Sequence, residues 1–392
     1  MYNNYIQHKL SDQLVITQNK LGNGAFGCVY IAKSDGKDVA IKCESKNSHI
    51  LTLLREFKIC RKIYIIKKYL KYSEYFEKIK NNSNEQNEIN KTSEILENLE
   101  KDPTIKIYNY INSNDMLLIP KQLNINYLLK TKCIPEAYSY IECNDFNFLT
   151  MELCGDNFEN LLEKYTLTEK SKYFVAHRLL HIMSCVHRCG IIHRDIKLSN
   201  FVLNDKIIYG NNESNSKLYP ILIDMGLGKE FYKYEPDKVI PVSQINTKSI
   251  TGTIRYISLN IHEFKSPTII DDLISLSYSL IVIFTDKNLP WVGHKKDTDK
   301  FDFDKHTLTN CKCGYHKNKE NNNTKKNNTI AEIKFHTPLN ELVGNKYIFL
   351  IKWIKYLYSL KPKQLPSYNY LFKCLYEESR NFESLCFEFN EI

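Results

Sequence analysis

Apolar and polar residues alternate from residue 14 to residue 42, interrupted by glycine-containing turns, and this two-residue period predicts three short antiparallel strands ending in Asp38-Val39-Ala40-Ile41-Lys42. The period then lengthens. Between Leu53 and Leu70 the apolar positions Ile59, Ile63, Ile66 and Leu70 recur every three or four residues, which predicts an amphipathic helix. Further long helical patterns at Lys172 to Cys189, Asp271 to Phe284 and Lys346 to Leu360 predict a mostly helical second half. Two stretches break the patterning. KIKNNSNEQNEINKTSE and KNKENNNTKKNNT are almost free of apolar residues, so residues of about 64–131 and about 295–335 are taken as low-complexity insertions that build no core of their own. No internal repeat is present.

Composition narrows the class of molecule. A chain of 392 residues with 43% hydrophobic content can bury a full core. The formal charge of +9 is compatible with nucleic acid, an acidic membrane or an anionic substrate such as a phosphorylated peptide, and does not choose among them. Twelve cysteines lie scattered, many inside apolar stretches such as Cys28-Val29-Tyr30 and Cys185-Val186-His187, and the start MYNNYIQHKL has no apolar signal-peptide core. The longest apolar stretch, around Leu273 to Phe284, is too short to cross a bilayer. A soluble, reduced cytosolic or nuclear protein, monomeric and with no nucleic-acid partner, is the expectation.

The candidate chemistry lies at fixed spacings. Gly22-Asn23-Gly24-Ala25-Phe26-Gly27-Cys28-Val29 is a Gly-x-Gly-x-x-Gly-x-Val run, which alone fits a hairpin turn, a dinucleotide fingerprint or a phosphate-covering loop. Lys42 then closes a Val-Ala-Ile-Lys strand where a dinucleotide fold would need a helix. Glu56, fourteen residues on and placed on the predicted helix, is the carboxylate selected to pair with Lys42, with Glu44 on the same strand as the alternative. Ile191-Ile192-His193-Arg194-Asp195-Ile196-Lys197-Leu198-Ser199-Asn200 sets Asp, Lys and Asn in one short loop. Twenty-nine residues after Asp195, the apolar strand Ile221-Leu222-Ile223 runs into Asp224-Met225-Gly226.

Together these motifs resemble the eukaryotic protein kinases. The segment Thr251-Gly252-Thr253-Ile254-Arg255-Tyr256-Ile257-Ser258-Leu259-Asn260 is similar to that of the casein kinase 1 superfamily, where Ser-Leu-Asn stands in place of Ala-Pro-Glu. Further matches are His262, Asp271-Asp272-Leu273, Leu289-Pro290-Trp291, Thr337-Pro338-Leu339 and Pro366-Ser367-Tyr368-Asn369-Tyr370-Leu371. The resemblance implies the bilobal α+β kinase fold: an N-terminal tail at 1–13, an N-terminal lobe and hinge over 14–155, a C-terminal lobe over 156–378 and a tail at 379–392. It implies a serine/threonine kinase that uses ATP and Mg²⁺. Asp195 would accept or orient the substrate hydroxyl proton, Lys197 would neutralise the transferring phosphoryl group, and Asn200 and Asp224 would hold the metal. His193 is expected to be structural. Leu21, Gly22, Asn23, Gly24, Ala25, Phe26, Gly27, Val29, Ala40, Lys42, Met151, Glu152, Leu153 and Leu203 would surround the nucleotide, with Met151 as gatekeeper and Met225 in place of the usual Phe.

Family members favour Ser or Thr near acidic or phosphorylated residues, and Arg255, Lys248 and Lys229 match the positions of their basic pocket, with Lys248 and Arg255 as ordinary solvated charges the alternative. Protein substrates of that kind are the expected partners. A pseudokinase scaffold binding partners through its insertions is the alternative class, suggested by Met225 and by the size of residues 64–131. His306, Cys311, Cys313 and His316 form a separate cluster whose Cys-x-Cys spacing is not that of a zinc knuckle; it is expected to be a flexible loop, with zinc binding the alternative.

Overall fold

A computed structural model of the protein describes residues 14–24, 27–80, 86–113, 132–207, 215, 217–235, 238–242, 249–294, 329–361, 364–382 and 385–391. The predicted strands appear as β1 (Leu14–Gly24), β2 (Gly27–Ser34) and β3 (Lys37–Ser45), followed by helices α1 (Leu53–Ile79), α2 (Gln86–Glu100) and α3 (Pro103–Ser113). Strands β4 (Ala137–Glu142) and β5 (Phe146–Glu152) complete a five-stranded antiparallel sheet in the order β1-β2-β3-β5-β4. Alternation along β3 divides its side chains between two faces. Val39, Ile41 and Cys43 pack with Phe146 and Phe148 in one cluster, whereas Ala40 packs with Leu53, Leu149 and Met151 on the α1 side.

The second half is built on α5 (Glu169–Arg188), which follows α4 (Phe158–Lys164) and β6 (Tyr165–Leu167). The α5 helix is buried on nearly every side, as expected of a helix at the centre of a lobe, and Thr168 caps it by accepting from the Ser171 amide at 3.2 Å. Short strands β7 (Ile191–Ile192), β8 (Phe201–Leu203), β9 (Pro220–Leu222) and β10 (Lys229–Glu230) flank the loops that carry the motifs, with β8 paired to β9 and β7 to β10. A β11 (Tyr232–Glu235) and β12 (Lys238–Pro241) ribbon comes next, then α6 (Leu259–His262), α7 (Ile269–Thr285), α8 (Ile330–His336), α9 (Leu339–Val343), α10 (Ile348–Ser359), α11 (Tyr368–Ser379) and β13 (Phe389–Glu391). A small sheet with one long helix thus sits against a mostly helical body, the bilobal α+β arrangement expected. Among the described residues no helix is long and apolar enough to cross a membrane.

Both stretches expected to build no core contribute buried residues to it. The region of 64–131 begins inside α1, which runs on to Ile79 with Ile66 fully buried, and it contains α3, whose Ile105, Ile107, Tyr108 and Ile111 join the main hydrophobic core. Ile107, Tyr108 and Ile111 recur at helical spacing, with Ile105 buried beside them, so local periodicity overrode a polar average composition. The second region, about 295–335, ends in α8, where Thr329 and Glu332 form a capping box and Ile330, Ala331 and Ile333 are buried. The cluster His306, Cys311, Cys313 and His316 lies outside the described residues. Replacing Ile105 with Ala should lower unfolding free energy by about 2–4 kcal/mol in a urea titration, because the side chain is wholly enclosed. A loss below about 0.5 kcal/mol would mean that α3 is peripheral to the core.

Candidate active site

The site forms where β3, α1 and the loops after β7 and β9 converge. The cleft between them encloses about 590 Å³ and is lined by Leu21, Gly22, Gly27, Val29, Ala40 and Lys42 from the sheet and by Met151, Glu152 and Leu153 from the end of β5 and the chain beyond it. Asp195, Lys197, Asn200 and Asp224 line its other wall. Ala25 and Phe26 lie outside the described residues, as does the Asn23 side chain. A Cβ on Gly27 would sit 2.0 Å from the Cys43 carbonyl oxygen, so glycine is required there by close approach of β2 to β3.

Leu203 is a correction. It has no exposed surface and packs beneath the segment after β5, where the Gly155 amide donates to its carbonyl at 2.9 Å. Its neighbour Val202 lines the cleft. A strand of three residues offers no alternation from which to read its face, and the assignment slipped by one residue.

Lys42 pairs with Glu56 through both carboxylate oxygens, at 2.7 and 2.9 Å, and its ammonium stands 3.7 Å from Asp224. Burial alone would drive this lysine toward neutrality, but the two carboxylates win and hold its pKa well above the ordinary value. The other Glu56 function is to accept the Met225 amide at 3.3 Å, which ties α1 to the turn after β9. Glu44 does something different from pairing with Lys42. Fully buried, it accepts the amides of Thr52 and Leu53 at 2.8 and 3.2 Å and so caps α1, a task Thr52 leaves undone.

The Asp195 loop is held by groups the sequence did not single out for that task. Asp272 on α7 is buried and accepts the His193 and Arg194 amides at 2.7 and 2.8 Å, and the His187 ring at 3.1 Å. Arg194 adopts a left-handed conformation, φ 70°, at this point. His193 Nδ1 accepts the Asp195 amide at 3.2 Å, which leaves the proton on Nε2 to donate to the Ile223 carbonyl at 3.1 Å. This supports a positioning task for His193. Asp195 itself accepts the Thr253 amide and hydroxyl at 2.8 and 2.7 Å and faces the Lys197 ammonium at 2.8 Å. Gly252, φ 98°, admits that approach, since a Cβ there would lie 2.5 Å from the Arg194 carbonyl oxygen.

Asn200 donates Nδ2 to the Asp195 carbonyl at 2.8 Å, so Oδ1 is the atom available to a cation. Asp224 also takes a left-handed conformation, φ 66°. Burial would raise its pKa, yet the positive charges of Lys42 first and then Lys197 draw it below the ordinary carboxylate value, so it is ionised at neutral pH. One carboxylate and one amide oxygen make a hard-oxygen pair that fits Mg²⁺.

The predicted basic pocket is only partly on view. Lys248 lies outside the described residues, and Lys229 stands on β10 opposite Ile192. Arg255 contacts Glu159 at 3.2 Å and Asn288 at 2.7 Å, while its Nε finds no partner among the described residues. Replacing Glu44 with Ala should destabilise the fold by about 1–3 kcal/mol, since it strips buried amides of their acceptor. Hydrogen exchange should locate the loss in the first turn of α1; protection unchanged at Thr52 and Leu53 would refute the capping role.

The protein kinase domain family matches residues 78–354, from the end of α1 through most of α10. That span contains Asp195, Asn200, Asp224 and Asp272, while β1 to β3 with Lys42 and Glu56 precede it and complete the same cleft. With well over half of its length matched and the expected cleft assembled, the chain belongs to the protein kinase domain family.

Proposed function

We propose that this protein kinase is a serine/threonine kinase of the casein kinase 1 type, moving the γ-phosphate of ATP to protein hydroxyls beside acidic or phosphorylated residues. The observation that carries the proposal is the convergence of Lys42, Asp224, Asn200, Asp195 and Lys197 on one cleft. When bound, Mg²⁺ supplies charge neutralisation along the phosphate chain, and Asp224 and Asn200 are the residues to hold it.

Lys42, aimed by Glu56, binds the α- and β-phosphates. Asp195 orients the attacking hydroxyl and takes its proton, while Lys197, 2.8 Å from that carboxylate, balances charge on the group in transfer. Leu21, Val29, Ala40, Met151 and Val202 form the apolar walls for the base. The Ser/Thr preference rests on the likeness of residues 251–260 to the casein kinase 1 segment, and the acidic preference on Arg255 and on the net charge of +9.

With labelled ATP, Mg²⁺ and casein or a phosphoprimed peptide, the wild-type chain should incorporate label into serine or threonine. Asp195→Asn should reduce kcat by roughly 10²–10⁴-fold with little change in ATP binding. Inactivity of the wild type across a broad set of protein substrates would sink the proposal. Asp272→Asn should also lower kcat, because an amide cannot accept from both loop amides and the His187 ring as a carboxylate does; unchanged kcat would separate the loop anchor from catalysis. Arg255→Ala should raise KM for a primed peptide by about 10–100-fold, the worth of a charge-assisted contact, and leave the unprimed peptide nearly unaffected. Equal loss on both peptides would remove the basic-pocket assignment.

A further inference from the structure

Away from the cleft, Cys133, His181 and Cys185 bring one sulfur, one ring nitrogen and a second sulfur within 4.8 Å of one another, all three side chains buried. From this geometry we propose a structural zinc site that joins the segment before β4 to helix α5.

The donor chemistry selects the ion. Two thiols and an imidazole are the borderline-soft set that zinc prefers, and a tetrahedral ion with Zn–S near 2.3 Å and Zn–N near 2.0 Å separates its ligand atoms by roughly 3.5–3.8 Å. Side-chain shifts of about 1 Å or less bring the three atoms to that spacing. His181 and Cys185 are four residues apart on one face of α5, so the helix presents two ligands together, and Cys133 approaches from a separate part of the chain. That convergence of distant residues distinguishes the cluster from sequence neighbours that happen to share a helix face.

The surroundings support the same conclusion. The Cys133 sulfur is in hydrogen-bond contact with both Cys185 and His181, and the charged Arg178 lies nearby. Cys189, one turn beyond Cys185, is also buried but lies outside that three-residue group. Binding releases a proton from each ligating thiol, so affinity should fall as pH is lowered.

The position gives such an ion a structural consequence. The Cys133 carbonyl accepts the Leu222 amide at 2.8 Å, two residues before Asp224, and Arg178 on α5 donates to the Lys132 carbonyl beside it and to the Pro220 carbonyl at 3.3 Å. An ion at Cys133 would thus fasten α5, the approach to β4 and the strand leading into Asp224 at one point.

Metal content of the full chain, purified from zinc-supplemented cells and dialysed against a mild chelator, tests the proposal by mass spectrometry without reference to catalysis. The expected result is about one zinc per chain. The content should persist in a Cys311→Ser, Cys313→Ser variant, which removes the other cysteine cluster, and fall at least tenfold in a Cys133→Ser, Cys185→Ser variant. Wild-type chain without zinc, or zinc unchanged by loss of Cys133 and Cys185, overturns the proposal. If the latter variant does not fold, cobalt decides on the Cys311→Ser, Cys313→Ser chain: a thiolate-to-cobalt charge-transfer band supports the site, and its absence refutes it.

Discussion

The ion pair between Lys42 and Glu56 is the contact on which the arrangement of the cleft depends. Glu56 is 1% exposed and Lys42 13%, so neither charge has much water to lean on, and removing one partner from such a pair typically costs about 3–5 kcal/mol. The intact pair is roughly neutral beside a well-packed apolar substitute. Its importance is therefore geometric. It fixes α1 against β3, brings Asp224 to 3.7 Å from the same ammonium and, through the Met225 amide, sets the turn in which Asp224 sits. Glu44 completes the reciprocity, since β3 caps the start of α1 with one carboxylate while α1 returns another to β3. Helix and strand are aligned at two points only a few residues apart on each, which leaves the lysine little freedom.

The opposite wall is fixed by a carboxylate in the core of the helical lobe. Arg194 and Asp224 both occupy the left-handed region, which costs about 1–2 kcal/mol for each non-glycine residue. At Arg194 that strain is offset by Asp272, whose two oxygens take the consecutive His193 and Arg194 amides in charge-assisted hydrogen bonds. Asp272 is held in turn by α7, and His187, which contacts it, bonds to Tyr368 on α11. Reactive residues on a loop thus inherit the rigidity of the helices beneath them, and the stretch containing Thr253 closes over Asp195 because glycine at 252 permits contact with the loop backbone.

Local spacing made the reactive centre legible in the sequence. Lys42, Glu56, Asp195, Asn200 and Asp224 are each marked by a short motif, and the strand and helix periods around them hold in the fold. What the sequence could not disclose were tasks created only by burial. Asp272 and Glu44 carry no local mark that they accept backbone amides from elsewhere in the chain, and the three-residue β8 gave no period with which to choose Val202 over Leu203. In α3 a signal did exist: Thr104, Ile107, Tyr108 and Ile111 share one helical face, with Ile105 buried beside it, but averaging over a polar stretch concealed it. By contrast α2 buries only Thr92, and its polar composition describes it well.

Helices α1 and α3 also bear on the segment that follows Asp224. Lys62 on α1 pairs with Glu230 on β10, and Lys106 on α3 lies over the Tyr234 ring at 4.5 Å while donating to its hydroxyl at 2.8 Å. Arg188 at the end of α5 meets Asn112 of α3 at 2.5 Å, so α3 is itself tied to the helical lobe. Each exposed pair is worth no more than about 1 kcal/mol, but several acting on one short ribbon, together with the edge-on packing of Tyr110 on Tyr232, restrict the same few residues. The β10 to β12 stretch is therefore positioned by contacts already present in the unmodified chain. Thr253 meets Asp195 directly from beyond that ribbon, and the stretch between α1 and β4 has a structural use that its composition does not suggest.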